Sequence, residues 1–256
     1  MSDFSGRTGA AVVTGGSGGI GAAIARLLAE RGSDVAITYN RNRAAADAVV
    51  AEVEAFGQRA KACQLSLEDE QATNAFLDEV VGAFGGVHTM VYASGPHVPM
   101  VHLSKVTTAD FRRQIDQDVV AFFNLMHASV PMLRTSKGNV VAVTTVATRR
   151  YPVRDGLSAA PKGAVEAIVR GLAAEEGRFG VRLNCVGPGM LVDGMAERLM
   201  SSGDLDERAL EVAKNNIAMR RFGNATDIAE AACFLASDKA GYITGLMLDV
   251  DGGYHL

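Results

Sequence analysis

Two stretches of this 256-residue chain carry residue types that can do chemistry. The first is TGGSGGIG at residues 14–21, which follows the apolar run 10–13 and precedes a helical pattern over 20–31. A helix start presents unpaired N–H groups and a positive dipole end, and both favour an anion. Glycine lets the backbone pass close to a phosphate with no Cβ in the way. The spacing, Gly15-x-x-x-Gly19-x-Gly21, predicts a phosphate cradle. The second stretch is SAAPK, in which Ser158 and Lys162 stand one helical turn apart and face the same side. A serine beside a lysine also reads as a nucleophile and base, but such sites need an oxyanion hole, and none is legible nearby.

The elements that must position these residues alternate along the chain. Strands are predicted over 10–13, 35–39, 60–65, 87–93, 139–145, 181–186 and 246–249. Helices are predicted over 20–31, 43–56, 69–84, 107–133, 158–178 and 225–236, with weaker helical pieces over 192–200 and 205–215. Alternation of this kind predicts an α/β fold: one doubly wound parallel sheet with helices on both faces. With no linker, repeat or low-complexity segment, residues 1–256 read as one domain. Ligands of such sheets bind at the carboxyl ends of the strands. Strands four and five end there in small or hydroxylated residues, at 92–95 and 144–147.

Composition narrows the function. Hydrophobic residues make up 48% and charged residues 21%, which suits a soluble domain with a large core. A net charge of −4 argues against a general nucleic-acid or membrane-surface binder. No apolar run approaches a membrane span, and the N-terminal MSDFSGRTG has no signal-like apolar segment. Cys63, Cys185 and Cys233 are scattered, with no metal-ligand spacing, so no metal site is expected and they read as core residues of a cytoplasmic protein.

Five segments together resemble the short-chain dehydrogenase/reductase family, whose domain is a Rossmann fold, over nearly the whole chain. They are TGGSGGIG, GNVVAVTT at 138–145, Lys162 with the following GAVEAIVRGLAAE, VRLNCVGPG at 181–189, and the tail RFGNATDIAEAACFLASDKAGYITGLMLDVDGG. The resemblance implies an NAD(P)-dependent oxidoreductase. Its cofactor site would use Thr14, Gly15, Ser17, Gly19, Ile20 and Gly21, with Arg41, Ser66, Leu67, Ala93, Gly95, Lys162, Pro188 and Gly189. It also implies a homotetramer, in which the long helix and the helix after Ser158 pack across a two-fold. Val119, Phe122, Phe123 and Met126 make the long helix more apolar than one buried face requires.

The catalytic positions depart from the family's Asn, Ser and Tyr-x-x-x-Lys. They read Asp118, Thr145 and Ser158, with only Lys162 unchanged. Tyr92-Ala93-Ser94-Gly95 replaces Asn-Asn-Ala-Gly, Ser66 replaces an Asp, and Asp193 replaces a Thr. In the family the lysine bonds the nicotinamide ribose and lowers the tyrosine pKa. A serine hydroxyl is too weak an acid to protonate an alkoxide, so Ser158 is expected to orient substrate or cap its helix. Thr145 keeps a hydroxyl donor. Asp118 is expected to pair with Lys162 directly or through water. Tyr151, in ATRRYPVRDG, is the preferred proton donor, whereas Tyr92 reads as packed.

A serine before the retained lysine, and a Thr-Thr pair, also resemble the 2,4-dienoyl-CoA and enoyl reductases. That favours reduction of a conjugated C=C, whose enolate needs only hydrogen bonds. Residues 38–43, TYNRNR, lack the acid that would bond a ribose 2′-hydroxyl, and Arg41 and Arg43 suit a 2′-phosphate; NADP(H) is expected over NAD(H). A substrate lid is expected over about 190–220, where Met190, Leu191, Met195, Leu199, Met200 and Met219 suit an apolar or acyl small molecule. Arg149, Arg150 and Arg154 could meet an anionic group on it. The alternative is a repurposed member of the fold, a binding or regulatory protein or a partner subunit.

Overall fold

The computed structural model describes residues 3–96, 98–192 and 207–256, with side chains described from 211 in the last segment. Seven strands form one sheet: β1 Ala10–Thr14, β2 Asp34–Tyr39, β3 Ala60–Gln64, β4 Val87–Tyr92, β5 Asn139–Val143, β6 Arg182–Pro188 and β7 Met247–Val250. Their order is β3-β2-β1-β4-β5-β6-β7, and every pairing is parallel. All residues of β1, β4 and β5 are buried, as a sheet covered on both faces requires.

Helices α1 Gly19–Glu30, α2 Arg43–Ala55 and α3 Glu70–Phe84 follow the first three strands. Next come α4 Thr108–Ile115, α5 Ala121–Ser136, α6 Gly156–Glu176, α7 Glu207–Asn215 and α8 Ala225–Ala236. One face of the sheet is covered by α1, α2 and α8, through Ile24, Leu28, Val49, Val53, Ile228 and Leu235. The other is covered by α3, α5 and α6, through Phe76, Leu77, Phe122, Leu125, Val165 and Val169. Chain direction across the sheet reverses between β1 and β4, so their carboxyl ends open the crevice where such sheets take ligands.

Two predicted elements differ. The helix expected over 107–133 is not continuous. Thr107 caps α4, accepting from the Asp110 amide at 3.1 Å, and a π-helical segment, Asp116–Val120, separates α4 from α5. A π segment adds a residue to the turn and re-aims the side chains on it, here Asp118. The helix expected from Ser158 begins at Gly156, with Asp155 at the N-cap, so Ser158 lies inside the first turn and does not cap it. Of the apolar residues ascribed to an interface, Phe122 and Met126 belong to the chain's own core, while Phe123 and its neighbour Val120 are exposed. The middle of the predicted lid, residues 193–206 with Asp193, Met195, Leu199 and Met200, and most of the helical piece expected over 192–200, lie outside the described residues.

Candidate active site

The glycine turn is built by close packing. Gly15 has φ +66°, and a Cβ there would meet the Ala93 carbonyl oxygen at 2.8 Å. A Cβ at Gly21 would overlap the Gly15 carbonyl, and one at Gly16 the Ile37 side chain. Thr38 pins the turn, accepting from the Gly15 amide at its hydroxyl (3.2 Å) and from the Gly16 amide at its carbonyl (2.9 Å). Gly19 differs: a Cβ there would meet nothing within 4 Å. The N-cap Gly18 supplies no side chain to the first turn of α1. The amides of Gly19, Ile20 and Gly21 have no partner among the described residues, and the space beside Gly19 is open. This is the cradle that a dinucleotide pyrophosphate requires, and the residues fit it.

The other sequence-predicted cofactor residues lie on the glycine turn or at and just beyond the carboxyl ends of the strands. Thr14 is buried, its hydroxyl donating to the Val91 carbonyl at 3.4 Å, and Ser17 and Ile20 are half-buried on the turn. Ser66 is exposed just beyond β3, and Leu67 is buried, its carbonyl accepting from Asn124. Ala93 and Gly95 follow β4, with Gly95 against the Lys162 ammonium. Pro188 ends β6, and a Cβ at Gly189 would overlap Asp251. Arg41 is exposed just beyond β2 and makes no ion pair among the described residues, whereas Arg43 pairs with Asp47 at 3.4 Å.

At the centre of the crevice Lys162 and Asp118 form a direct ion pair. Lys162 Nζ lies 2.8 Å from Asp118 Oδ1, with side chains 11% and 4% exposed. A second Lys162 N–H points to the Ser94 carbonyl at 3.4 Å. Beneath them Tyr92 is fully buried and donates its hydroxyl to Asp118 twice, to the main-chain carbonyl at 2.9 Å and to Oδ1 at 3.1 Å. Its ring lies 5.1 Å from the Lys162 ammonium and edge-on to Phe122. Burial and the Asp118 carboxylate hold the Tyr92 hydroxyl well above its usual pKa, so it stays a proton-bearing donor. Two departures from the family pattern, Tyr92 and Asp118, thus bond to each other.

Thr145 sits at the start of the connection that leaves β5, where its oxygen accepts from the Ala147 amide at 3.1 Å and its O–H is left to donate. Ser158 is half-buried, and its hydroxyl has no partner among the described residues. Tyr151 is exposed on the rim of the same connection. Two of the three arginines there are engaged. Arg149 lies 3.7 Å from Asp249, and Arg150 donates to the Tyr254 carbonyl at 2.6 Å with its guanidinium over the Tyr254 ring. Arg154, exposed and with φ +77°, makes no ion pair among the described residues.

Sequence reading passed over Asp155. Its carboxyl is buried, makes no cap bond to the helix it precedes, and has no ion-pair partner among the described residues. Burial alone pushes it up to about 6. Cys185 and Cys233 are buried thiols, each pushed up to about 12, and play no part here.

Comparison with known proteins gives the family. Residues 15–255 match the family model described as enoyl-(acyl carrier protein) reductase. The chain is 34% identical over 250 residues to 3-oxoacyl-[acyl-carrier-protein] reductase FabG of Staphylococcus aureus, covering 97% of this chain and 99% of that protein. It is 31% identical to L-fucose dehydrogenase of Oryctolagus cuniculus, covering 96% and 84%. A short-chain dehydrogenase from Burkholderia cenocepacia, solved in complex with NADP, superposes with a TM-score of 0.88 at 33% identity, covering 98% and 99% of the two chains. The chain belongs to the short-chain dehydrogenase/reductase family of NAD(P)-dependent oxidoreductases.

Proposed function

We propose that this chain is an NADP(H)-dependent reductase of a small apolar carbonyl compound, with 3-keto and α,β-unsaturated acyl thioesters as the first substrates to test. The state of Lys162 carries the reading. Two of its three N–H groups are committed, to Asp118 and to the Ser94 carbonyl, which leaves one for a ligand in the crevice. The ion pair holds the ammonium in place, and the ribose-binding role follows by resemblance to the family. A bound nicotinamide cofactor supplies the hydride. Thr145 and Ser158 give hydrogen bonds to the substrate oxygen as negative charge grows on it, an interaction worth about 3–4 kcal/mol per donor. Both substrate types develop that charge, as an alkoxide or an enolate. The names of the S. aureus relative and of the matching family model support acyl substrates.

NADP(H) preference rests on Arg41 and on the absence of an acid at 40–43. A homotetramer is proposed from the family resemblance and from the exposed Val120 and Phe123.

The experiment is NADPH oxidation against paired 3-keto and enoyl thioesters, with thermal shifts for NADP(H) and NAD(H). Reduction of either thioester, with a larger shift for NADP(H), is expected. No shift with any of the four nucleotides and no turnover would contradict the reading and favour a repurposed binding protein. With only the Thr145 and Ser158 hydroxyls beside the substrate, the enoyl member is the faster, because ketone reduction needs a stronger acid.

A further inference from the structure

One buried acid stands just ahead of Ser158 on the chain, and it is not a residue that the family pattern marks. Asp155 stands at the start of α6, between the connections that leave β4 and β5. On one side the Val101 amide donates to the Arg154 carbonyl at 3.1 Å, and a Cβ on Gly156 would overlap Leu103, so the β4 connection closes over it. Its own carbonyl accepts from the Ser158 amide at 3.0 Å and the Ala159 amide at 2.9 Å, so the hydrogen bonding of the helix begins at this N-cap residue, whose φ −93° and ψ 19° are not themselves helical. Asp155 thus stands about one turn before Ser158 and two before Lys162. The side chain is 7% exposed, yet takes none of the first-turn amides that an N-cap aspartate ordinarily accepts.

We propose that Asp155 is the proton donor of this site, giving its proton to the substrate oxygen in place of the missing tyrosine, so that the chain reduces ketones as well as conjugated alkenes. This rests on the reductase reading above. The step balances with a dihydronicotinamide as reductant. A hydride leaves a C–H bond of the dihydronicotinamide, which is oxidised to nicotinamide, and bonds to the carbonyl carbon, which is reduced, while the C=O π pair moves to oxygen. A new O–H bond forms as the carboxyl O–H of Asp155 breaks, and the carboxylate regains its proton from water. A carboxyl raised to about 6 by burial keeps a usable protonated fraction near neutral pH and is a far stronger acid than Ser158. The charged and titratable groups on the surrounding elements are His102 and Lys105 on the β4 connection, Asp110, Arg112 and Arg113 on α4, Asp116 and Asp118 on the π segment, Arg149, Arg150, Tyr151 and Arg154 on the β5 connection, and Lys162 further along α6. Asp110 pairs with Arg113, Asp118 with Lys162 and Arg149 with Asp249, Arg150 donates to the Tyr254 carbonyl, and the rest are exposed.

The test compares the unmodified chain with Asp155→Asn and Asp155→Glu, using paired keto and enoyl thioesters from pH 5 to 8. For the unmodified chain, kcat/KM on the ketone should fall as pH rises through about 6. Asp155→Asn should lose ketone reduction about 100- to 1000-fold together with that limb, Asp155→Glu should recover part of both, and enoyl reduction should fall far less. Infrared difference spectra of the cofactor-free protein give an independent readout. A protonated carboxyl band should titrate near the same pH in the unmodified chain and be absent from Asp155→Asn. Ketone turnover in Asp155→Asn within threefold of the unmodified rate, or an unchanged limb, would overturn the proposal. So would loss of the limb in Tyr151→Phe instead. Reduction of the enoyl substrate alone would overturn it while leaving the reductase reading intact; failure to bind any nucleotide would remove both.

Discussion

The two ends of this sheet treat their polar residues in opposite ways. At the amino ends of β4, β5 and β6, buried donors are bonded within the chain. His88 sits between the hydroxyls of Ser33 and Thr89, at 3.2 and 3.0 Å. Asn139 donates to Thr89 and to the Ala236 carbonyl, and Arg182 ties down the carbonyls of Leu235 and Ser237. At the carboxyl ends the first-turn amides of α1, the Ser158 hydroxyl and the Asp155 carboxyl have no partner among the described residues, and Lys162 has an N–H to spare. Burying polar groups unpaired costs stability, and although Asn139 Oδ1 is left without a partner among the described residues at the amino ends, these partnerless donors gather at the carboxyl ends, where a ligand can pair them. The contrast locates function at one end and structural anchoring at the other.

The largest expected effect comes from splitting the buried Lys162–Asp118 ion pair at the working end. Lys162→Ala should destabilise the chain by about 3–5 kcal/mol, because it leaves the Asp118 carboxylate buried without its cation. The Lys162→Ala/Asp118→Asn double variant should recover part of that in denaturant unfolding. Additive losses would show that the pair is not coupled.

Acid and alkali should separate the two ends. Burial holds His88 down to about 4 from 6.5, so its contribution is complete above pH 6.5 and is lost as pH falls through about 4. Asp155 is raised from 3.8 to about 6, so its contribution is complete below pH 3.8 and is lost as pH rises through about 6. Each is worth up to about 3 kcal/mol. In thermal unfolding across pH 4 to 8, His88→Gln should flatten the acid side of the stability curve and Asp155→Asn the neutral side. Identical curves for both variants would erase the distinction between the ends.

The smallest effect concerns cofactor choice. Arg41→Ala should weaken NADP(H) about tenfold and leave NAD(H) nearly unchanged, as loss of one charge-assisted contact predicts. Equal weakening of both would remove the 2′-phosphate argument.

Much of this was legible in the sequence, for local reasons. The strands are short apolar runs, the glycine turn declares its own geometry, and Lys162 lies in a helix with plain periodicity. What stayed hidden is set by contacts between distant segments. The π segment around Asp118 leaves the hydrophobic period of 107–133 intact, so nothing in the pattern marks it. Asp155 reads as an ordinary loop acid because the chain that buries it, near Val101 and Leu103, follows a different strand. Arg149 and Arg150 read as a basic loop open to substrate because the C-terminal turn that holds them lies a hundred residues on.

The central claim is that the open amides at the carboxyl end of the sheet are a dinucleotide site. Calorimetric titration of the unmodified chain with NADPH and NADH tests it most directly. One NADPH per chain, bound more tightly than NADH, is the predicted result, and at about a hundred times its Kd it should stabilise the fold by about 2.7 kcal/mol. No heat and no stabilisation with either nucleotide would contradict the account.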